Sequence, residues 1–62
     1  MKTIRKYTST REDWDIVVMI RLDPTNGQHI AYTYYVGVDT PPAERYEAAC
    51  LEDAIGWAKD KL

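Results

Sequence analysis

Between Trp14 and Val38 two alternating stretches flank the segment Asp23-Pro24-Thr25-Asn26-Gly27-Gln28, and this pattern leaves few folds open. One set of alternate residues is apolar throughout: Trp14, Ile16, Val18, Ile20 and Leu22, then Ile30, Tyr32, Tyr34, Val36 and Val38. Side chains on a strand point alternately to its two faces, so this set predicts a face turned to a core. Pro24 fixes φ, and Asn26 or Gly27 takes positive φ, which is strong turn chemistry between two strands. Directly opposed residues of an antiparallel pair share a face. Matching the two apolar sets therefore requires paired residue numbers with an even sum, and predicts a connecting loop of odd length or one that contains a bulge. The intervening set holds Val17, Met19, Ala31, Thr33 and Tyr35 among Asp15, Arg21, His29 and Gly37, too apolar for an ordinary solvated face.

The flanking segments supply two more strands and a helix. Lys2 to Thr8 alternates, with Ile4 set against Arg5 and Tyr7, and its Thr3, Ile4, Tyr7 and Thr8 favour a first strand. Ser9 to Asp13 is a polar turn. After the break at Asp39-Thr40-Pro41-Pro42, residues 41–49 admit two readings. A helix from Pro41 would align Glu44 and Glu47 with Leu51, Ile55, Ala58 and Leu62, and so bury two carboxylates. A short strand over 44–48 instead turns Tyr46 and Ala48 inward and Arg45 and Glu47 outward. From Cys50 onward Leu51, Ala54, Ile55, Ala58 and Leu62 form one helical stripe, with Glu52 and Asp53 at its start and Lys59 and Lys61 at its end, as the helix dipole favours. The pattern predicts an α+β fold of order β-β-β-β-α: an antiparallel sheet of three to four strands with one C-terminal helix on one face. A single helix covers only one face, so the other is predicted to be a contact surface.

Composition narrows the function classes. Sixty-two residues make one domain, residues 1–62, with a small core whose burial barely offsets the entropy of ordering the chain. Cys50 is the only cysteine and His29 the only histidine, which excludes a disulfide framework and a Cys/His zinc site. A lone thiol suits a reducing compartment. No apolar run approaches the roughly 20 residues of a membrane span, and the N-terminus lacks the apolar stretch of a signal peptide. The chain reads as mature, soluble and cytoplasmic. Its net charge of −2 hides an asymmetry: residues 1–11 carry Lys2, Arg5, Lys6 and Arg11 and no acid, while the remainder holds all ten acids. This basic strand is either an edge guarded against self-pairing or a strip that steers toward an acidic partner.

Few residues have a claim to chemistry. His29, beside the turn, has no Ser or Cys partner placed by the sequence and reads as a solvated turn residue. Cys50 stands at the helix N-cap, where a dipole can activate a thiol, but a small residue at a strand-to-helix junction is the plainer reading. Glu12, Asp13 and Asp15 lack the ligand rhythm of a calcium loop. Gly27, Gly37 and Gly56 are isolated and form no phosphate loop. No catalytic site, metal or cofactor is implied. The candidate partner-binding residues are Lys2, Arg5, Lys6 and Tyr7 on the first strand, Val17, Met19 and Tyr35 on the second sheet face with Ala31 and Thr33 at its margin, and Trp57 beside the helix stripe. Tyr and Trp bring large contact area at small entropic cost. A partner protein, or a second copy of this chain across the open face, is the implied occupant.

The opening Met1-Lys2-Thr3-Ile4-Arg5-Lys6-Tyr7-Thr8-Ser9-Thr10, followed by an aromatic-led strand and a C-terminal helix, resembles the start of some small phage-encoded anti-CRISPR proteins. The resemblance covers about a third of the chain. It implies a non-enzymatic inhibitor of a type I CRISPR surveillance complex, with Lys2, Arg5, Lys6 and the tyrosines as contacts. A second resemblance spans Trp14 to Leu62. Trp14-Asp15-Ile16-Val17-Val18, then Asp23-Pro24-Thr25-Asn26-Gly27, then a helix with Glu52, Ala54 and Trp57, is similar in layout to the arm-type DNA-binding domain of tyrosine recombinases. It implies a nucleic-acid-binding module with a three-stranded sheet and a helix. That family's sheet is rich in Lys and Arg, whereas the hairpin here offers only Arg21, and phosphate neutralisation drives such binding.

Overall fold

The structure, a computed structural model, describes residues 2–62. Strands β1 (Lys2–Thr10), β2 (Trp14–Leu22), β3 (His29–Gly37) and β4 (Arg45–Ala48) are followed by the helix α1 (Leu51–Lys61). The strands lie side by side in chain order as one antiparallel sheet. The expected β-β-β-β-α order is the observed one. In residues 41–49 the strand reading holds: Ala48 is buried and Tyr46 half-buried toward α1, while Glu44, Arg45 and Glu47 are exposed. Keeping those carboxylates in water avoids the desolvation cost that a helix there would incur.

The register of the central hairpin departs from expectation. Ile16 stands opposite Tyr35, Val18 opposite Thr33 and Ile20 opposite Ala31, pairs whose residue numbers sum to an odd value. The turn is closed by two backbone bonds: the Asp23 N–H donates to the Gln28 carbonyl at 2.8 Å, and the Gly27 N–H to the Asp23 carbonyl at 2.8 Å. Two side chains support it. The Asp23 carboxylate accepts from the Thr25 N–H, and the Asn26 amide oxygen from the Gln28 N–H, both at 3.0 Å. With Gly27 at φ 73°, an even loop of Pro24 to Gly27 sits inside the 23/28 pair.

Packing against the helix explains why this register wins. Ile16, Val18, Ile20, Ala31 and Ala48 form the sheet side of the core, and Ala54 and Ala58 the helix side. Ala31, Thr33, Ala54 and Ala58 are all fully buried. Small residues on both layers leave room for the helix to pack closely on the sheet. Ile30, Tyr32 and Tyr34, which the even-sum register would place there, would hold the helix away from β3.

Two local irregularities complete the core. The β1–β2 ladder shifts between Thr3 and Arg5, and this bulge brings Ile4 to the same side as Tyr7, where both pack on the core. Simple alternation had opposed them. Gly37 lies against Trp14, with φ 153° and room for no side chain: an added Cβ would stand 2.7 Å from the Trp14 Cβ. Along α1, Leu51, Ile55 and Leu62 flank the buried alanines as the stripe predicted. The helix begins without a side-chain cap from Cys50.

Among the described residues Thr33 is the one buried polar residue. Its hydroxyl accepts from the Glu44 N–H at 3.0 Å while its own N–H donates to the Glu44 carbonyl at 2.9 Å, which ties the start of β4 to β3. Thr33→Val keeps the shape and removes the acceptor. It should lower unfolding free energy by about 1–2 kcal/mol with an unchanged denaturant slope, measured by chemical denaturation.

Candidate functional site

The sheet face away from α1 is built from residues whose alternation opposes the core. Across it run three rows in register: Thr8, Val17 and Tyr34; Lys6, Met19, Tyr32 and Arg45; Thr3, Arg21, Ile30 and Glu47. Val36 and Asp15 lie at one end. Val17 and Ile30 are only 7% and 6% exposed although no helix covers them. Their neighbours shield them. The Tyr32 hydroxyl donates to the Met19 sulfur at 3.4 Å, and the Arg21 guanidinium stands 5.3 Å from the centre of the Tyr32 ring, so these three side chains lie along the sheet. Beside them Tyr34 is 37% and Val36 57% exposed, and the apolar strip continues into exposed Val38.

Charge frames this strip unevenly. Lys6, Arg21 and Arg45 gather at the half around Tyr32, and Asp15 marks the other end. Arg45 also pairs with Glu47 at 3.1 Å on the exposed rim, a contact of little energetic weight.

The structure separates the residues singled out from sequence. Val17 and Met19 stand on the open face, as expected, and Lys6 points there opposite Met19. Tyr35 does not: it lies on the helix side, edge-on to Trp14 with ring centres 6.2 Å apart. Tyr7 also lies on the helix side, opposite Val18 and packed on the core. Ala31 and Thr33, placed at the margin of the patch, are buried beneath α1. The corrections at Tyr35, Ala31 and Thr33 follow from the odd-sum register, which exchanges the two faces of β3, and the one at Tyr7 from the bulge at Ile4 on β1. Tyr32, Tyr34, Ile30 and Val36 take the vacated positions. The signal for them was present in the paired Asp23 and Asn26 side chains, which build an even loop, and in the small Ala31 and Thr33, which suit a helix seat.

Lys2 and Arg5 fall on the helix side of β1, opposite Leu22 and Ile20, and both are exposed. Trp57 belongs to the helix layer, remote from the open face. It stacks on Tyr46 with ring centres 5.6 Å apart and planes 9° from parallel, and Lys61 Nζ stands 5.1 Å from its ring centre. Lys61 also bonds Glu44 at 2.6 Å, and the Tyr46 hydroxyl donates to Asp53 Oδ2 at 2.8 Å. Together these contacts clasp α1 to β4.

His29 is half-buried on the helix side beside Ala48, with Nδ1 buried and unpartnered, rather than solvated at the turn. Strand pairing with both Leu22 and Ala48 draws it inward. Cys50 is exposed at the helix start. Among the described residues no three His, Cys, Asp or Glu side chains converge as a ligand set, and no enclosed pocket is found. Among the described residues no helix is long and apolar enough to cross a membrane. No protein-family model, curated protein or solved structure matches the chain, so the site is read from its geometry and chemistry.

Two groups of the clasp titrate away from their ordinary values. The hydrogen bond to Asp53 raises the Tyr46 phenol, with burial and the Asp53 charge adding to it, and the hydrogen bond to Glu44 raises the Lys61 ammonium. A raised folded-state value stabilises the protonated form. The clasp therefore contributes fully below about pH 10 and is lost as pH rises through the raised values. Asp53→Ala should let Tyr46 ionise at lower pH, read as an earlier onset of phenolate absorbance in an alkaline titration. An onset identical to that of the parent protein would mean that the bond is not formed in solution.

Proposed function

We propose that this chain is a small non-enzymatic protein-binding domain that docks through the uncovered face of its sheet and its basic first strand. The observation that carries the reading is the exposed strip of Tyr34 and Val36 beside Tyr32 and Met19, on the face that α1 leaves bare. Leaving such a surface in water is unfavourable, and aromatic and methionine side chains in an apolar strip with a charged rim are the composition of protein interfaces. Tyr32 is already held by Arg21 and Met19, so docking there freezes little extra motion. With no enclosed pocket among the described residues, the surface suits a broad contact better than a small substrate.

An inhibitor that occupies a surface of a larger assembly is the finer form of this proposal. The resemblance of the first ten residues to anti-CRISPR proteins makes a type I CRISPR surveillance complex the first partner to test. A second reading, nucleic-acid binding, draws on Lys6, Arg21 and Arg45 standing beside Tyr32 and Tyr34, a pairing of cations and stacking rings that suits a single strand. It ranks behind protein binding because Asp15 and Glu47 share that face and the net charge is −2.

Tyr34→Ala should change stability by about 1 kcal/mol or less, since the residue lies outside the core cluster. It should weaken binding to a purified surveillance complex by about tenfold or more, mainly through faster dissociation. Parent-like affinity in a folded Tyr34→Ala variant would remove the open face from the account. Binding to a single-stranded oligonucleotide that falls steeply between low and moderate salt, without capture of the complex, would favour the second reading. Dimerisation in sedimentation experiments that Tyr34→Ala abolishes would assign the face to a second copy.

A further inference from the structure

The backbone hydrogen bonds say which groups of β1 are unused. The Arg11 N–H donates to the Trp14 carbonyl at 2.8 Å, which marks 11/14 as a bonded pair of the β1–β2 ladder. Bonded pairs recur every second residue, so Ser9, Tyr7 and Arg5 bond inward to Ile16, Val18 and Ile20. Lys6, Thr8 and Thr10 then direct their N–H and C=O groups away from β2, along the free edge of the sheet. All three residues are exposed. The opposite edge is β4, only four residues long, so the sheet has one long open edge.

That edge is selective by charge. Residues 1–11 carry Lys2, Arg5, Lys6 and Arg11 and no acid. Two β1 strands paired antiparallel about Thr8 would set Arg5 against the Arg11 position, cation against cation, which disfavours a second copy. The same charges attract an extended segment rich in Asp or Glu. We propose that β1 is a strand-addition site: an extended acidic segment of the partner protein pairs with the free backbone groups of Lys6, Thr8 and Thr10, while its carboxylates meet Arg5 and Lys6. Because the Lys6 side chain points to the open face, the added strand widens the docking surface as a fifth strand. This rests on the protein-binding reading above and names the mode of contact at its basic margin.

The test uses a capped eight-residue peptide in which pairs of glutamates alternate with pairs of valines, so that carboxylates project from both faces of the added strand, and a counterpart with lysine in place of glutamate. Proline is tolerated on an edge strand where the N–H faces solvent, so Thr8→Pro should fold, as checked by thermal unfolding, yet lose the central edge donor. At about 1 mM, the glutamate peptide should slow amide hydrogen exchange at Lys6, Thr8 and Thr10 in the parent protein and in Tyr34→Ala, and do nothing to Thr8→Pro. Its binding should weaken about tenfold between 50 and 500 mM salt. The doubly substituted Arg5→Glu, Lys6→Glu protein should prefer the lysine peptide, which keeps the test decisive if Thr8→Pro fails to fold. Four results would overturn the proposal: no slowing at those amides, equal effect of the lysine peptide, protection that appears with protein concentration alone, or the same protection from a single-stranded oligonucleotide. If Thr8→Pro binds the surveillance complex like the parent while Tyr34→Ala does not, strand addition fails and the open-face reading stands. The reverse pattern sinks the open-face reading and leaves the edge.

Discussion

Everything distinctive about this molecule depends on how closely α1 approaches β3. Ala54 and Ala58 share one core cluster with Ala31, Thr33 is buried on the same face of β3, and none of the four retains exposed surface. A helix set down on small residues gains close packing but little apolar area from each, since an alanine buries only one methyl group. The larger contributions come from Ile16, Val18 and Ile20 in the centre of the sheet, and from a half-buried ring of Tyr7, Trp14, Tyr35, Leu51, Ile55 and Trp57. Stability is thus spread over the periphery. The stack of Trp57 on Tyr46, bracketed by the Lys61–Glu44 and Tyr46–Asp53 bonds, closes the side of the core where β4 is only four residues long.

The same approach creates the open face. Once Ala31 and Thr33 are committed to the helix, alternation forces Ile30, Tyr32 and Tyr34 to the far side of the sheet. There they meet Val17 and Met19, which the helix-facing Ile16 and Val18 displace outward. Core and open face are therefore two consequences of one packing decision. A bulkier β3 inner face would lift the helix and also strip the outer face of its tyrosines. The cations Lys6, Arg21 and Arg45 fall on the same side by register alone, which gives the strip a polarity along the strands.

Much of the fold was legible because most segments carried a clear local pattern. The strand at Arg45–Ala48 could be chosen over a helix by asking where Glu44 and Glu47 would go, and the helix could be started at Cys50 from its stripe and its terminal charges. The candidate site was half legible. Val17 and Met19 were placed correctly because β2 has one strongly apolar set and its opposite follows, whereas the open-face position of Lys6 came from the bulge. Tyr35 and Tyr7 were misplaced for two separate reasons. On β3 both alternate sets are apolar enough to be buried, and on β1 a bulge at Ile4 breaks the alternation from which faces are counted. A single residue of slip costs little burial when both sets are apolar, so hydrophobicity alone could not rank the registers.

The sequence by itself determined the type and order of the elements, the bare face of a sheet with one helix, the lack of any spaced ligand set and the basic character of β1. These depend on periodicity, charge and residue count, which are properties of short segments. Only the tertiary structure decided which face of β3 meets the helix, and with it which tyrosines remain exposed. That choice turns on side-chain volume beneath α1 and on the hydrogen bonds that close the Asp23–Gln28 loop, and both compare residues far apart in the chain or atoms whose positions no pattern of hydrophobicity encodes.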